Sequence, residues 1–291
     1  MFDRYQVMTN VQMRDYTTLK LGGPADWLGL PASGEEVSGM LKEAKENDIP
    51  VTILGHGSNV LVLDGGIRGL VIRMGRGMNK AEVSGNIISV QAGTMLGTVA
   101  AAAAENGLTG LEFASGIPGT AGGGVIMNAG AYGGELSQVV RSVTGVIADG
   151  SVRILNRDEL DFGYRRSILQ RNGMVVTQVV FELQDGNPET IRAEMAELNR
   201  RRAESQPLDV PSAGSTFKRP KGAYAAALID QCGLKGYAIG GARVSPKHAG
   251  FLINTGDSAK DYLELVKAVQ RIVEERTGIR LEPEIRIMGE E

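Results

Sequence analysis

The sequence has few of the residues that build disulfide, metal or membrane proteins. It contains one cysteine, Cys232, and two histidines, His56 and His248. A single cysteine cannot form an internal disulfide, and two histidines argue against a multi-histidine metal site. No apolar run approaches the roughly 20 residues of a membrane-spanning helix, and aromatic residues make up only 5% of the chain. We therefore expect neither a bound metal nor a membrane association.

The chain also lacks an excess of positive charge. It has 31 Lys and Arg against 34 Asp and Glu, which gives a formal net charge of −3 at pH 7. No basic footprint for nucleic acid follows from this balance, although local clusters can still bind small anions. The opening "MFDRYQVMTN" lacks the apolar core of a signal peptide, which predicts a cytoplasmic protein. Nothing in the pattern implies an obligate protein partner.

Glycine, by contrast, is abundant. The chain has 40 glycines in 291 residues, well above the average share of about 7%. They cluster between periodic segments, which predicts loops built for close approach of the backbone to a ligand. The length allows about two domains.

The first part of the chain reads as two α+β lobes. A β-helix-β unit has its helix capped at Ser33 or Gly34 and ends near residue 73. The second lobe, from about 74 to 186, opens with a strand and a helix from about Met95 to Asn106, capped by Thr94. An Asp149-Gly150 turn predicts a hairpin. The segment "LEFASGIPGTAGGGVIMNAGAYGGEL" has no periodicity and predicts a long functional loop.

The remaining residues predict a smaller domain. The polar stretch around 185–189 marks the boundary, so that we expect domains at 1–186 and 187–291. The second domain should contain a strand "GFLIN", a long helix from about Ala259 to Arg276 and a final strand "RLEPEIRIM". The expected fold class is α+β throughout.

Two glycine-rich loops are candidate cofactor sites. "LGHGSN", residues 54–59, follows a strand, and its amides can point at a phosphate; an ordinary tight turn is the alternative, because valine replaces the third glycine of a dinucleotide fingerprint. "SGIPGTAGGG", residues 115–124, can lie against a flat ligand, with Ser115 and Thr120 bonding its polar edges. Two such loops suggest one extended ligand, such as a dinucleotide.

Two charged segments are candidates for catalysis. In "FGYRRSIL", Arg165 and Arg166 point opposite ways on extended chain; a surface charge pair is the common alternative. In "RLEPEIRIM", Glu284 can act as acid or base and Arg286 can bind an anion. The alternative is an amphipathic edge strand, with Pro283 in it and an apolar face of Leu281, Ile285 and Ile287.

"SAGSTFKRP", residues 212–220, contains the candidate Ser215. A hydrolase nucleophile is disfavoured, because the Gly-x-Ser-x-Gly pattern is missing. A serine after Ala-Gly is most often a turn or cap residue. Lys218 and Arg219 nearby favour an anionic ligand.

Taken together, these motifs resemble the UDP-N-acetylenolpyruvoylglucosamine reductase family, also called UDP-N-acetylmuramate dehydrogenases. The resemblance runs from "TTLKLGGPADWLGLP" through both glycine loops, "FGYRRSIL" and "SAGSTFKRP" to "LEPEIRIMG", and so covers nearly the whole chain. The short chain, without an insertion before Ser215, is similar to the compact second type of the family.

The resemblance implies a two-lobed FAD-binding domain of the vanillyl-alcohol-oxidase type, followed by a substrate-binding domain. FAD would be bound noncovalently, although His56 lies near a position where related flavoproteins tether the cofactor. The implied FAD-binding residues come from the two glycine loops: Gly55, His56, Gly57, Ser58, Asn59, Ser115, Gly116, Pro118, Gly119, Thr120 and Gly122.

The implied reaction reduces UDP-N-acetylglucosamine enolpyruvate to UDP-N-acetylmuramate, for bacterial peptidoglycan. NADPH, as co-substrate, would reduce the flavin, whose N5 hydride adds to C3 of the enolpyruvyl ether. Ser215 would give the proton to C2, with Arg165 and Glu284 as the other catalytic residues. The implied contacts to the nucleotide sugar are Tyr132, Lys218, Arg219, His248 and Arg286.

Three alternatives stay open on the residues alone. Another FAD oxidase of the same fold is disfavoured by the set Ser215, Arg165 and Glu284, since an oxidase does not protonate a carbon. A catalytically silent flavin or nucleotide-sugar binder is the second alternative, and only an activity measurement decides it. A serine hydrolase is the least favoured.

Overall fold

The computed structural model describes all residues, 1–291. The chain divides into two compact units. The first unit consists of Met1–Thr9, Trp27–His56 and Gly69–Arg202, and the second of Asn10–Asp26, Gly57–Arg68 and Ala203–Glu291. This division is interleaved along the chain, unlike the continuous segments 1–186 and 187–291 expected for the domains, whose boundary stays a prediction.

The regular structure contains six α-helices and nineteen strands, together with six short 3-10 helices. The helices are α1 Gly34–Glu46, α2 Leu96–Glu105, α3 Ala121–Ile126, α4 Pro188–Ser205, α5 Ala225–Gln231 and α6 Ala259–Thr277. The strands are β1 Val7–Gln12, β2 Pro24–Gly29, β3 Val51–Leu54, β4 Val60–Val62, β5 Ile67–Arg73, β6 Ala81–Ser84, β7 Ile87–Gln91, β8 Leu108–Thr109, β9 Gly130–Ala131, β10 Gly134–Glu135, β11 Val140–Val146, β12 Val152–Asn156, β13 Val175–Glu182, β14 Gln184–Asp185, β15 Ser212–Ser215, β16 Ala238–Ile239, β17 Ala242–Val244, β18 Phe251–Asn254 and β19 Arg286–Met288. No helix is both long and apolar enough to cross a membrane.

Helix α1 forms where the sequence predicts it. Ser33 is the N-cap, and its hydroxyl accepts a hydrogen bond from the Glu36 amide at 3.3 Å. Residues Val37, Met40, Leu41 and Ala44 are buried, which is the spacing of an amphipathic helix with one face on a core. Local sequence signals alone account for this element.

The first unit contains an antiparallel sheet in the order β12-β11-β13-β7-β6. Val146 pairs with Val152 across the turn at Asp149 and Gly150, which confirms the predicted hairpin. A further four-stranded sheet has the order β1-β2-β5-β3. The buried apolar core of this unit includes Ile88, Val143 and Val179.

Two predictions for the first unit are wrong. Thr94 does not cap α2: the N-cap is Met95, and the Thr94 hydroxyl instead donates to the Lys80 carbonyl at 3.3 Å. The Thr94 carbonyl is occupied as well, because it accepts from the Ala121 amide. The glycine-rich segment is not one long loop either, since α3 forms within it. Thr120 caps this helix by accepting from the Gly123 amide at 3.3 Å.

The second unit contains the four-stranded sheet β15-β18-β17-β16 together with α5 and α6. Helix α6 agrees with the prediction and ends at Gly278, whose φ of 73° is the left-handed conformation that glycine adopts without strain. Leu228 and Ile229 of α5 share an apolar core with Val266 and Val269 of α6.

The predicted final strand is mostly irregular. Only Arg286–Met288 is a strand, β19, and it pairs in parallel with β4. Leu281 and Ile285 are buried, but Ile287 is 42% exposed, so that the expected apolar face of three residues is wrong. The chain bends at Ile285 before β19 begins, which interrupts the alternation.

Candidate active site

Ser215 lies at the end of β15, directly after a β-bulge. Ser212 pairs with Ile253 and Ser215 with Phe251, so that three steps along β15 match two along β18. Gly214 has a φ of 75°, and this positive φ accommodates the extra residue. Ser215 is exposed, whereas Thr216 after it is fully buried. The bulge therefore directs the Ser215 side chain away from the buried part of the sheet.

The segment after Ser215 runs beside the segment that contains Glu284. The Glu284 amide donates to the Thr216 carbonyl at 2.8 Å, and the Lys218 amide donates to the Glu282 carbonyl at 2.8 Å. Thr216 also accepts a hydrogen bond from the Leu252 amide through its hydroxyl, at 3.2 Å. The second unit thus brings the backbones of Ser215 and Glu284 onto neighbouring segments, although the two residues are far apart in sequence.

The end of the loop 54–59 joins the same region. The Arg286 amide donates to the Asn59 carbonyl at 2.9 Å, and the Asn59 side-chain amide donates to the Glu284 carbonyl at 3.2 Å. The Asn59 side chain, which the sequence predicts to contact FAD, therefore donates a hydrogen bond to the backbone of the catalytic candidate Glu284.

The middle of this loop presents amide donors. Gly57 is buried with a φ of 74°, and a Cβ there would overlap the Tyr16 carbonyl oxygen. The amides of Gly57 and Ser58 have no hydrogen-bond acceptor within the chain. Consecutive amides of this kind can bind a phosphate.

The two glycine loops meet in the first unit. A Cβ on Gly55 would lie 2.7 Å from the Thr120 hydroxyl oxygen, so that only glycine allows this approach. Other glycines of the second loop serve packing within the chain: a Cβ on Gly122 would lie 2.8 Å from the Ala92 Cβ. Pro118 is exposed, and the Gly119 carbonyl accepts from the Leu96 amide at 2.9 Å.

Arg165 stands at the corner of a tight turn. Gly163 and Arg166 exchange two backbone hydrogen bonds of 3.0 Å around it. Arg165 has a φ of 53°, a conformation that costs a non-glycine residue about 1–2 kcal/mol. Its guanidinium donates to the Gly130 carbonyl at 3.1 Å and lies 5.2 Å from the centre of the Tyr164 ring. Arg166 is exposed and donates to Asp161 at 3.3 Å.

Two residues that position Arg165 were not singled out from the sequence. Asn128 is fully buried; its side-chain amide donates to the Gly163 carbonyl at 3.0 Å, and its oxygen accepts from the Ser137 amide at 2.9 Å. Gln170 donates to the Arg165 carbonyl at 3.0 Å. The sequence signal for Asn128 was an asparagine inside an apolar, glycine-rich run, because a buried side-chain amide needs hydrogen-bond partners for its nitrogen and for its oxygen.

The predicted substrate-contact residues are distributed over both units. In the first unit, Tyr132 is 46% exposed and forms a two-residue hairpin loop with Gly133, both at positive φ. In the second unit, the Lys218 ammonium pairs with Glu282. Arg219 lies 4.5 Å from the centre of the Tyr224 ring.

His248 lies in the loop before β18. Its Nδ1 accepts from the Gly250 amide at 3.2 Å, and its ring contacts Phe251 edge-on at 4.9 Å. Burial, with a smaller contribution from Lys235, lowers the pKa of His248 below its ordinary value. The ring is therefore neutral at neutral pH, with its proton on Nε2.

Comparisons with known proteins decide the family. A reductase of Clostridium novyi (strain NT), named UDP-N-acetylenolpyruvoylglucosamine reductase, is 51% identical over 290 residues, which is 99% of this chain and 94% of that protein. The protein of the same name from Pediococcus pentosaceus is 48% identical and covers 100% of this chain and 97% of its own length. The chain belongs to the UDP-N-acetylenolpyruvoylglucosamine reductase family.

The family models locate the two functional regions of this reductase-family chain. Residues 26–156 match the FAD binding domain, and residues 206–288 match the C-terminal domain of UDP-N-acetylenolpyruvoylglucosamine reductase. A crystal structure of the Thermus caldophilus reductase superposes with a TM-score of 0.85 at 39% identity, over 98% of this chain and 100% of that one. The expected fold class, an FAD-binding domain followed by a smaller α+β domain, is confirmed, and the chain is a flavoprotein oxidoreductase.

The residues of the chain fit the FAD that the family implies. The N–H groups of Gly57 and Ser58 have no acceptor within the chain and can donate to a phosphate. Gly55 allows the two glycine loops to contact each other at Thr120. At Gly55 and Gly57 a Cβ would meet the Thr120 hydroxyl and the Tyr16 carbonyl oxygen, so that glycine permits the backbone path that presents these amides.

Proposed function

We propose that the chain reduces UDP-N-acetylglucosamine enolpyruvate to UDP-N-acetylmuramate, with FAD as cofactor and NADPH as co-substrate, in the cytoplasmic synthesis of bacterial peptidoglycan precursors. The name shared by its close relatives supports the substrate. The structural observation that supports the proposal is the backbone pairing of the segments 216–218 and 282–284, which follow and contain the candidate residues Ser215 and Glu284.

The cofactor would be held by the glycine loops at 54–59 and 115–124. The Gly57 and Ser58 amides are suited to its diphosphate, and the second loop to its ring system. When bound, FAD would supply the hydride for C3 of the enolpyruvyl ether, and NADPH would supply the electrons that reduce it.

Arg165 would stabilise the charge that develops on the substrate. Addition at the carbon β to a carboxylate builds negative charge on that carboxylate, and a fixed guanidinium binds it more strongly in the transition state than in the ground state. The strained turn, held by Asn128 and Gln170, fixes the Arg165 backbone before substrate binds. Glu284 and Arg286 are proposed to share this work.

Ser215 would donate the proton to C2. A serine hydroxyl is a weak acid in water, so that its proton transfer depends on fixed geometry. The bulge at Gly214 and the buried Thr216 on either side supply that rigidity. The predicted substrate contacts, Tyr132, Lys218, Arg219, His248 and Arg286, all carry groups that can bond phosphate or hydroxyl oxygens.

The two half-reactions test these roles separately. Under anaerobic conditions, NADPH should bleach the flavin absorbance, and the enolpyruvyl sugar should restore it. Ser215→Ala should leave bleaching nearly unchanged and slow the recovery about 10²–10⁴-fold, the usual contribution of a positioned acid. Ser212→Ala is the matched control, because it removes a hydroxyl from the same strand.

Each result has a defined meaning. Equal slowing of both half-reactions in Ser215→Ala would exclude a proton-donor role. A flavin that NADPH bleaches but the sugar does not restore would refute the substrate and leave the FAD-binding fold intact.

A further inference from the structure

Helix α4 directs one arginine inward. Ile191 and Leu198 are 4% and 9% exposed, and Met195 packs against the same core. Spacings of four, three and four residues along this stripe lead to Arg202, which is partly buried. A guanidinium therefore occupies the position where the helix pattern would continue with an apolar side chain.

Arg202 differs from the two arginines that precede it. Arg200 and Arg201 are exposed, and their Nε atoms donate to Glu197 at 2.8 and 2.6 Å. Arg202 makes no hydrogen bond or ion pair within the chain; its guanidinium lies 5.7 Å from the centre of the Tyr132 ring. Burial lowers the pKa of Arg202, with Tyr132 opposing it, but an arginine stays charged at neutral pH.

The surroundings of Arg202 belong to the candidate cofactor loop. A Cβ on Gly116 would lie 2.9 Å from the Arg202 Nε, so that the arginine side chain packs directly on this glycine. Asn199, one turn earlier on α4, accepts from the Ser115 hydroxyl at 3.4 Å. Arg202 thus lies between the glycine loop and Tyr132, which we expect to bind FAD and substrate respectively.

A partly buried guanidinium without an acceptor is costly unless a ligand supplies one. Five donors in a rigid fork match the oxygens of a phosphate. We propose that Arg202 binds a diphosphate oxygen of a nucleotide ligand. This inference rests on the proposed function, in which both FAD and the nucleotide sugar carry a diphosphate.

Arg202→Met tests the proposal against Arg201→Met. Methionine keeps the aliphatic packing on Gly116 and removes the charge, while the control removes an exposed arginine from the same turn. Titration of each apoprotein with FAD, followed by fluorescence, gives the cofactor affinity. Titration of each oxidised, FAD-loaded protein with the enolpyruvyl sugar, followed by flavin absorbance, gives the substrate affinity. Arg202→Lys, with a point charge, provides a second variant if the methionine variant does not fold.

Arg202→Met should weaken the binding of one of the two ligands about 10- to 100-fold, as expected for a lost charge-assisted hydrogen bond. The affinity of Arg202→Lys for that ligand should lie between those of Arg202→Met and wild type. The apoprotein should melt no earlier than Arg201→Met, because an unpaired charge has been removed. Weakened FAD binding would assign Arg202 to the cofactor, and weakened sugar binding would assign it to the nucleotide sugar. Affinities within twofold of the control for both ligands would overturn the proposal. If wild type does not bind the sugar at all, the proposed function fails, and the FAD titration alone decides the role of Arg202.

Discussion

Gly214→Ala is the substitution that tests how Ser215 is positioned. Gly214 has a φ of 75°, and a Cβ built on it meets no atom within 4 Å. The cost of alanine is therefore conformational rather than steric, about 1–2 kcal/mol for a left-handed non-glycine residue. This corresponds to a fall in Tm of roughly 2–4 °C for each kcal/mol.

The chain can relieve this strain by moving the bulge, which would move Ser215. The bulge fixes Ser215 opposite Phe251, and a displacement of about 1 Å at a reacting group can cost about 10²-fold in rate. Gly214→Ala should therefore slow reoxidation of the flavin by the enolpyruvyl sugar about 10²-fold and leave reduction by NADPH nearly unchanged. Stopped-flow absorbance of the two half-reactions measures both.

Gly278→Ala is the matched control. Gly278 lies in the same unit, has a φ of 73° and also has open space around its Cβ. It should lose a similar amount of stability but keep the reoxidation rate. If the two variants unfold at similar temperatures and also reoxidise at similar rates, the bulge does not position Ser215 and the reasoning is wrong.

Three further predictions follow from single contacts. Thr216→Val should lower the free energy of unfolding by about 1–3 kcal/mol, measured with urea, because the buried Leu252 amide loses its acceptor. Thr216→Ser keeps a hydroxyl and should retain most of the wild-type stability, and equal losses in the two variants would contradict the role of this hydrogen bond. The pKa of His248 is lowered by burial, so that the unfolded state binds the extra proton and stability falls as pH drops through the ordinary histidine pKa of 6.5. The stability difference between wild type and His248→Gln, whose side chain can still accept from Gly250, should shrink from about pH 8 to pH 5, and a constant difference would refute the assignment. Arg165→Gly should be more stable than Arg165→Ala by about 1 kcal/mol in thermal unfolding, because φ is 53° there, while both should slow reoxidation; equal stabilities would mean that the turn relaxes.

Ser33 and Thr94 show when a helix cap can be predicted from the sequence. Both residues precede a helix, but only Ser33 caps one. At Thr94 the hydroxyl and the carbonyl are taken by Lys80 and Ala121, which are distant in sequence. Helix caps are predictable where no other part of the chain competes for the capping atoms.

The sequence by itself determined the elements whose stability is local. Apolar spacing and capping define α1 and α6, the Asp149-Gly150 turn defines its hairpin, and the motifs around Ser215, Arg165 and Glu284 indicate the family. These features can be predicted from the sequence because each depends on residues only a few positions apart.

Only the tertiary structure decided how the candidate residues are held. The bulge that presents Ser215, the pairing of Glu284 with Thr216, the buried Asn128 under the Arg165 turn and the inward Arg202 each depend on partners far along the chain. Sequence periodicity describes one segment at a time, whereas strand register and the satisfaction of buried polar groups are properties of segments that meet only in the folded protein.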